Sequence, residues 1–309
     1  MAKTLLPPGA VLMRLLQGHL VALFTIFIWG ITFISTKILL AELTAEEILF
    51  LRFLLGWLAL CLFSWQRIPY MGARIELTFA SAGFFGVTLY FLLENIALEY
   101  TLASNVGVLV STAPFFTALV NWMLGNGKRP DRFFLAGFVL AIIGIIMISG
   151  DETITRISPV GDMLALLAAV AWAFYSVLSR KLANLGLGTI RTTRRSFFYG
   201  ILLMLPILAF TGMDNTWRAL QNPAVIGNLL FLGLGASALC FATWTFCMVR
   251  LGTVKASAYI YLVPVVTVIS AAIWLHESLG PESLAGIFLV ITGLLLSEGN
   301  DILQLLKRA

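Results

Sequence analysis

Charged side chains are scarce in this sequence. Among its 309 residues only 11% are Asp, Glu, Lys or Arg, whereas 60% are apolar. A soluble domain usually has about 25% charged and about 45–50% apolar residues, so lipid is the expected solvent of this chain. The net charge of +5 would suggest nucleic-acid binding in a soluble protein. Here membrane topology explains it better, and we expect no nucleic-acid partner.

Cysteine and histidine are also rare. Cys61, Cys240 and Cys247 lie within apolar runs, where apolar packing is a simpler interpretation than a disulfide. His276-Glu277 begins like a zinc-protease motif, but the second histidine four residues later is absent. The sequence also lacks a Walker A motif, which excludes ATP as the direct energy source. We therefore expect no metal, no cofactor and no catalytic residue.

Long apolar runs fill most of the chain. Because a membrane helix needs about 20 apolar residues, the sequence predicts an all-α polytopic membrane protein with ten transmembrane helices. The predicted helices span residues 19–41, 45–65, 75–97, 102–124, 132–150, 159–182, 192–212, 222–248, 253–275 and 281–303. They leave an N-terminal segment, 1–18, a tail, 304–309, and short loops, so we expect no extramembrane domain.

The basic residues are distributed unevenly among the predicted loops. If the N-terminus is cytoplasmic, sixteen Lys and Arg residues fall on the cytoplasmic side and only Arg156 and Arg218 on the other. Such asymmetry follows the positive-inside rule and predicts that both termini are cytoplasmic. The sequence has no N-x-S/T glycosylation sequon, which favours a bacterial source. The expected location is therefore the bacterial inner membrane.

Several landmarks repeat along the chain. A tryptophan, a proline and a glycine pair recur after 143, 150 and 149 residues. The matched positions are Trp29 and Trp172, Pro114 and Pro264, Gly137 and Gly286, and Gly144 and Gly293. These offsets predict two related units, 19–150 and 159–303. Because each unit holds five helices, an odd number, the second must be inverted, an arrangement typical of transporters that bind substrate between their halves.

Motifs in both units resemble those of the drug/metabolite transporter superfamily, in its duplicated EamA-type family. The resembling stretches are Ala97-Leu98-Glu99-Tyr100-Thr101-Leu102-Ala103-Ser104-Asn105, Ala113-Pro114, Phe231-Leu232-Gly233-Leu234-Gly235, Leu251-Gly252-Thr253, Pro264 and Leu275-His276-Glu277-Ser278-Leu279. The resemblance implies export of amino acids, other metabolites or drugs, often by proton exchange. The chain departs from the family at Gly127, where a glutamate equivalent to Glu277 is usual.

Glu94 is the sharpest candidate for a functional residue. A charge at the bilayer centre costs about 2.5–3.5 kcal/mol or more, so ionisable residues in membrane helices usually face a cavity or a partner. Helical spacing places Glu94 and four other residues on one face of its predicted helix, 75–97, where they form a stripe. The members of this stripe are Phe79, Gly83, Gly86, Tyr90 and Glu94. We expect a proton-coupling or amine-binding carboxylate; an interfacial glutamate is the alternative.

Two basic residues lie within predicted helices. Lys37 and Arg52 are near the ends of segments 19–41 and 45–65. Snorkelling of their long side chains to the interface is the simpler interpretation. They could instead pair with Glu94 or bind a substrate carboxylate.

Aromatic and hydroxyl side chains recur on single faces of several predicted helices. They indicate a cavity suited to an amphipathic or planar solute, although helix packing would use similar residues. The candidate substrate-binding residues are Trp29, Thr32, Tyr90, Asn105, Trp172, Tyr175, Trp244 and Tyr261. Pro114 and Pro264 interrupt their helices and are candidate hinges, with a static kink as the alternative.

Together these features predict a secondary transporter that works by alternating access. We expect it to export amino acids or related small organic metabolites, by proton antiport through Glu94. The cavity is expected among the first, third, fourth, sixth, eighth and ninth helices, with 132–150 and 281–303 at the periphery. Export of drugs, amines or nucleosides is the alternative, and a channel or membrane-embedded enzyme is a weaker one. The expected partners are a small-molecule substrate and the bilayer, and a homodimer is compatible with the sequence.

Overall fold

The structure is a computed structural model that describes residues 8–66, 69–100, 103–125, 127, 129–149, 158–274 and 281–297. Within these residues every regular element is helical. The helices are α1 (Pro8–Leu39), α2 (Ala45–Phe63), α3 (Ala73–Tyr100), α4 (Ala103–Val110), α5 (Ala113–Met123), α6 (Arg132–Ser149), α7 (Pro159–Ala183), α8 (Thr189–Thr211), α9 (Thr216–Ala219), α10 (Pro223–Leu251), α11 (Thr253–Ala258), α12 (Leu262–Trp274) and α13 (Pro281–Ser297).

Five of the described helical spans are long and apolar enough to cross a membrane. They are Met13–Leu39, Ala73–Tyr100, Pro159–Ala183, Thr189–Thr211 and Pro223–Leu251. Each of the ten segments predicted from the sequence overlaps at least one helix. The prediction of an all-helical fold is therefore confirmed for the described part of the chain.

One predicted helix in each repeat is broken at its proline. In the first repeat α4 and α5 are separate helices, and Pro114 lies in the first turn of α5. In the second repeat a 3-10 turn, Tyr259–Tyr261, joins α11 to α12, and Pro264 lies in the first turn of α12. Proline has no N–H, and its ring clashes with the carbonyl one turn earlier, which accounts for both breaks. The hinge role of the two prolines stays a prediction.

α3 and α10 each contain a π-helical stretch, Phe84–Leu89 and Phe231–Leu239. The 150-residue offset of the prolines carries Phe84 to Leu234, inside the second stretch. The irregularity therefore recurs at equivalent positions. π-helical turns are rare and often lie at functional sites.

The π-helical stretch of α3 divides the stripe predicted along that helix. A methyl group added to Gly83 would meet the backbone of Ser196 on α8, whereas one added to Gly86 would meet the ring of Tyr175 on α7. A π turn holds about one residue more than an α turn, so it changes the phase of the helix. As a result Glu94 faces a different neighbour from Gly83.

α6 and α13 pack closely against each other through glycines. A methyl group added to Gly137 would lie 2.5 Å from the Gly293 carbonyl oxygen, and one added to Gly144 would lie 2.6 Å from that of Gly286. Residue numbers rise along α6 as they fall along α13, so the helices are antiparallel. The same face includes Ala141. Gly137 and Ala141 therefore serve helix packing.

Two further glycine contacts, which are equivalent to each other, join the two repeats. A methyl group added to Gly56 on α2 would lie 3.0 Å from the Gly233 carbonyl oxygen on α10. One added to Gly200 on α8 would lie 3.1 Å from that of Gly83 on α3. Gly200 follows Gly56 by 144 residues, and Gly233 follows Gly83 by 150. Each contact is therefore the counterpart of the other, as a two-fold relation between the repeats requires.

Candidate functional site

A small cavity lies among helices of both repeats. Its volume is about 40 Å³, which is room for about three water molecules. Its lining residues are Trp29, Thr32, Phe33, Arg52, Tyr90, Phe91, Glu94, Gly107, Val110, Ser111, Ala113, Trp172, Ile260 and Val263. Most of them are apolar or aromatic, with a few polar groups, as is usual for a small-molecule site.

Glu94 lies in the wall of this cavity. Its side chain is 7% exposed, and the hydroxyl group of Tyr90, one helical turn earlier on α3, donates a hydrogen bond to its Oε1 atom at 3.3 Å. The sequence left open whether Glu94 faces a cavity or the membrane interface. The structure places it at the cavity.

Arg52 on α2 also lines the cavity. It is 4% exposed, so the prediction that it snorkels to the interface is wrong. Its Nε atom donates a hydrogen bond of 2.7 Å to the Ser237 hydroxyl group on α10, and its guanidinium carbon lies 4.2 Å from the centre of the Phe91 ring. These contacts hold the guanidinium inside the protein. Sequence reasoning considered Arg52 but did not include it among the binding residues.

Three predicted tryptophans form one aromatic cluster beside the cavity. The ring centres of Trp29 lie 5.2 Å from those of Trp172 and 5.0 Å from those of Trp244. Trp29 and Trp172 line the cavity, whereas Trp244 is fully buried behind them. The Trp29 indole N–H donates a 3.0 Å hydrogen bond to the Ala236 carbonyl oxygen, in the π-helical stretch of α10. The Trp172 indole N–H has no hydrogen-bond partner among the described residues.

The two helix breaks meet at the cavity. Val110 and Ala113 flank the break in the first repeat, whereas in the second repeat Ile260 lies in the 3-10 turn and Val263 in the first turn of α12. The two pairs differ by the 150-residue offset of the prolines. Irregular backbone within a membrane protein is usually tolerated only where protein or a cavity surrounds it. The repeated proline was the sequence signal that could have identified these lining residues.

Other predicted residues have different positions. Thr32 lines the cavity, but its hydroxyl group donates to the Trp29 carbonyl oxygen at 2.6 Å. Tyr175 is buried against Gly86, and Tyr261 is buried 6.5 Å from Phe138 between ring centres. Neither tyrosine lines the cavity. The side chains of Asn105, His276 and Glu277 lie outside the described residues.

The helices that surround the cavity also differ in part from expectation. α2 contributes Arg52, although the corresponding predicted segment, 45–65, was not among the helices expected to line the cavity. α10 contributes none of the described lining residues, since Trp244 and Phe241 pack behind Trp29 and Trp172. None of the described lining residues belongs to α6 or α13, as the sequence predicts.

A much larger open cavity, here called the vestibule, lies at one end of the helices. Its volume is about 1040 Å³, and its lining residues are Lys37, Leu40, Ala41, Glu42, Leu43, Thr44, Leu98, Glu99, Asn215, Arg218 and Ala219. Lys37 lies one helical turn beyond Phe33, and Leu98 one turn beyond Glu94. The vestibule is therefore next to the small cavity along α1 and α3. Lys37 is exposed there, in agreement with its predicted snorkelling.

Hydrogen bonds join the repeats at both ends. At the vestibule end the Glu47 carboxylate accepts hydrogen bonds of 2.9–3.1 Å from the backbone N–H groups of Asn215 and Thr216 and from the Thr216 hydroxyl group. At the opposite end Arg195 forms an ion pair of 2.5 Å with Glu76. The described residues contain no group of three or more His, Cys, Asp or Glu side chains placed to hold a metal ion.

Comparison with known proteins finds similarity along almost the whole chain. A model of the EamA-like transporter family matches residues 16–150 and 159–298. An uncharacterised transporter of Archaeoglobus fulgidus is 30% identical over 290 residues, which cover 92% of this chain and 98% of that protein. A probable amino-acid metabolite efflux pump of Salmonella typhimurium is 27% identical over 290 residues, which cover 88% and 92%.

A solved crystal structure has the same fold. It shares 18% sequence identity with this chain and reaches a TM-score of 0.69, covering 91% of this chain and 96% of its own. The apolar helical spans, the two matched ranges and the reciprocal glycine contacts agree with one another. The chain is a multi-pass membrane protein, and it belongs to the EamA-like transporter family.

Proposed function

We propose that this transporter exports amino acids or related small organic metabolites by alternating access. The Salmonella relative named as an amino-acid metabolite efflux pump supports this class of substrate. The observation that carries the proposal is the small cavity between the repeats, in which a buried carboxylate and a buried guanidinium lie among aromatic side chains.

The proposed topology has ten transmembrane helices in two inverted five-helix repeats, 19–150 and 159–303. The antiparallel packing of α6 on α13 supports inversion, because these helices are equivalent in the two repeats. The distribution of Lys and Arg supports cytoplasmic termini in a bacterial inner membrane. In this topology the vestibule opens to the outside.

The size of the small cavity supports a mechanism with more than one conformation. At about 40 Å³ it admits water but no amino acid, so substrate entry requires the repeats to move apart. The helix breaks at Pro114 and Pro264 lie in its walls and are the proposed hinges. Rocking of one repeat against the other around a fixed site is the usual mechanism of inverted-repeat transporters.

Proton antiport through Glu94 is the proposed coupling. A carboxyl group in the substrate cavity can bind a proton in one orientation of the transporter and release it in the other. The test is counterflow in proteoliposomes that are preloaded with unlabelled amino acids and supplied with labelled ones outside. We expect saturable exchange, which an imposed pH gradient accelerates in the native protein but not in the Glu94→Gln variant.

Glu99→Gln is the matched control for this experiment. Glu99 lies on α3 near Glu94, but it is exposed and lines the vestibule. We expect the control to keep the response to the pH gradient. If Glu94→Gln kept both the rate and the pH dependence of the native protein, Glu94 would have no coupling role. If only amines, nucleosides or drugs exchanged, the amino-acid substrate class would be wrong.

A further inference from the structure

Arg52 is a buried cation that forms no ion pair with any residue in the described part of the chain. Its side chain is 4% exposed, and its only hydrogen bond within the described residues runs from Nε to the Ser237 hydroxyl group. Its guanidinium carbon also makes cation–π contacts. It lies 4.2 Å from the centre of the Phe91 ring and 5.4 Å from the centre of the Phe53 ring. A buried charge is costly unless it is paired. The terminal NH₂ groups of Arg52 therefore remain available to an anion.

Glu94 is in the complementary position. It lines the same cavity as Arg52 and is also buried. Both residues are in the described part of the chain, yet no nitrogen atom of Arg52 lies within 4.0 Å of a carboxylate oxygen of Glu94. Among the described residues, the Tyr90 hydroxyl group is the single hydrogen-bond donor to the Glu94 carboxyl group. The cavity thus holds a guanidinium group and a carboxyl group that do not form an ion pair with each other.

We propose that Arg52 and Glu94 bind the two ends of a zwitterion. Arg52 binds the α-carboxylate of an amino acid, and Glu94 binds its α-ammonium group. The planar guanidinium offers two parallel N–H donors, a geometry that matches a carboxylate. The assignment rests on the proposed export of amino acids and adds to it the residues that recognise the common part of every amino acid.

The remaining walls of the cavity indicate the kind of side chain. Phe33, Val110 and Ile260 are apolar, and Trp29 uses its indole N–H within the protein. The indole N–H of Trp172, which has no partner in the described residues, is a further donor for the bound carboxylate. The site is therefore suited to an amino acid with an apolar side chain.

The first test is a series of related ligands on the native protein. Leucine has both charged groups, 3-methylbutylamine lacks the carboxylate, and 4-methylpentanoate lacks the ammonium group. Binding to purified protein is followed by tryptophan fluorescence, and transport by competition with labelled leucine in counterflow. We expect leucine to bind about 10- to 100-fold more tightly than either analogue, since each loses charge-assisted hydrogen bonds.

The second test uses substitutions that separate the two charges. Arg52→Gln is expected to weaken leucine binding by about 10- to 100-fold while the affinity for 3-methylbutylamine stays unchanged. Arg52→Lys keeps the charge but loses the paired N–H donors. Its affinity for leucine should therefore lie between that of the native protein and that of Arg52→Gln. Lys37→Gln removes an exposed cation at the vestibule and is the control that leaves the preference for leucine intact. If Arg52→Gln does not fold, Ser237→Ala removes only the support of Nε and should still weaken leucine binding.

The outcomes separate this assignment from the proposed function. The zwitterion site is wrong if 3-methylbutylamine binds the native protein as tightly as leucine, or if none of the three ligands binds. It is also wrong if Arg52→Gln weakens leucine and the amine equally. Saturable counterflow of an amine or a drug without preference for leucine would keep the transporter and remove the zwitterion site. If leucine bound with the expected preference but showed no counterflow, the zwitterion site would stand and the proposed export of amino acids would be wrong.

Discussion

Trp29 and Trp172 occupy equivalent positions in the two repeats but have different hydrogen bonding. The Trp29 indole N–H donates to the Ala236 carbonyl oxygen at 3.0 Å. The Trp172 indole N–H is buried without a partner in the described residues. A buried polar group that is hydrogen-bonded stabilises the fold, whereas one that is unpaired costs free energy. The two side chains should therefore respond differently to the same substitution.

We expect Trp29→Phe to lower the free energy of unfolding by about 1 kcal/mol more than Trp172→Phe does, because only the first removes a hydrogen bond. Both substitutions delete similar volumes from one aromatic cluster, so each is the matched control of the other. The measurement is unfolding of the purified variants in mixed detergent micelles. Equal losses of stability would show that the bond to Ala236 contributes nothing measurable.

The residues of the site could be predicted only in part. Trp29, Thr32, Tyr90, Glu94 and Trp172 were identified because polar and aromatic side chains stand out in an apolar helix, and all five line the cavity. Tyr175, Trp244 and Tyr261 satisfied the same criterion but pack elsewhere, since spacing along one helix does not fix which neighbour a face meets. Arg52 was misjudged because a long basic side chain near a helix end usually reaches the interface.

At the scale of helices, the contact between α6 and α13 depends on the absence of side chains. The Cβ atom of an alanine at position 137 would lie 2.5 Å from the Gly293 carbonyl oxygen and 2.6 Å from the Ser297 backbone nitrogen. Backbone atoms cannot move aside as the end of a flexible side chain can. The helices would have to separate along part of their length.

Gly137→Ala is therefore expected to destabilise the protein by about 1–3 kcal/mol, the usual cost of overpacking. Gly227→Ala is the control: a methyl group added there, on α10, meets nothing within 4 Å, and alanine favours a helix over glycine by about 1 kcal/mol. Thermal unfolding of both variants in detergent measures the difference. Equal stability of Gly137→Ala and the native protein would show that the two helices separate without cost.

The positions of the helices could be predicted from the lengths of the apolar runs. Only some of the interruptions within the helices could be predicted from the sequence. The prolines predicted two kinks, and the structure has a complete break at each. The π-helical stretches at Phe84–Leu89 and Phe231–Leu239 had no sequence signal of their own. They depend on how α3 and α10 pack on their neighbours, which a single sequence does not reveal.

At the scale of the whole molecule, the two ends of the helices have different features. The vestibule opens at the end that carries Lys37 and Arg218. At the opposite end Arg194 and Arg195 of α8 bond to the segment between α2 and α3, including the carbonyl oxygens of Gln66 and Pro69. In the proposed topology the vestibule is outside the cell, and the end that carries Arg194 and Arg195 is cytoplasmic.

Cysteine labelling in intact cells measures this orientation. In a Cys61→Ala background, where Cys240 and Cys247 are fully buried, Ala41→Cys in the vestibule should react with a membrane-impermeant maleimide. Lys181 is exposed near the C-terminal end of α7, which is cytoplasmic in the proposed topology. Lys181→Cys should therefore react only after the membrane is opened. The background protein without an added cysteine is the control. Labelling of Lys181→Cys alone in intact cells would invert the topology.

The reciprocal glycine contacts imply that a half-length chain could once have formed the same interfaces by pairing with a second copy of itself. In such a pair every mutation would appear twice, so the cavity would hold two arginines and two glutamates. In the fused gene the counterpart of Arg52, 144 residues later, is Ser196, and that of Glu94, 150 residues later, is Trp244. In a single chain the two halves can differ, so Arg52 and Glu94 both belong to the first repeat, and the proposed zwitterion site has one direction in which an asymmetric molecule fits.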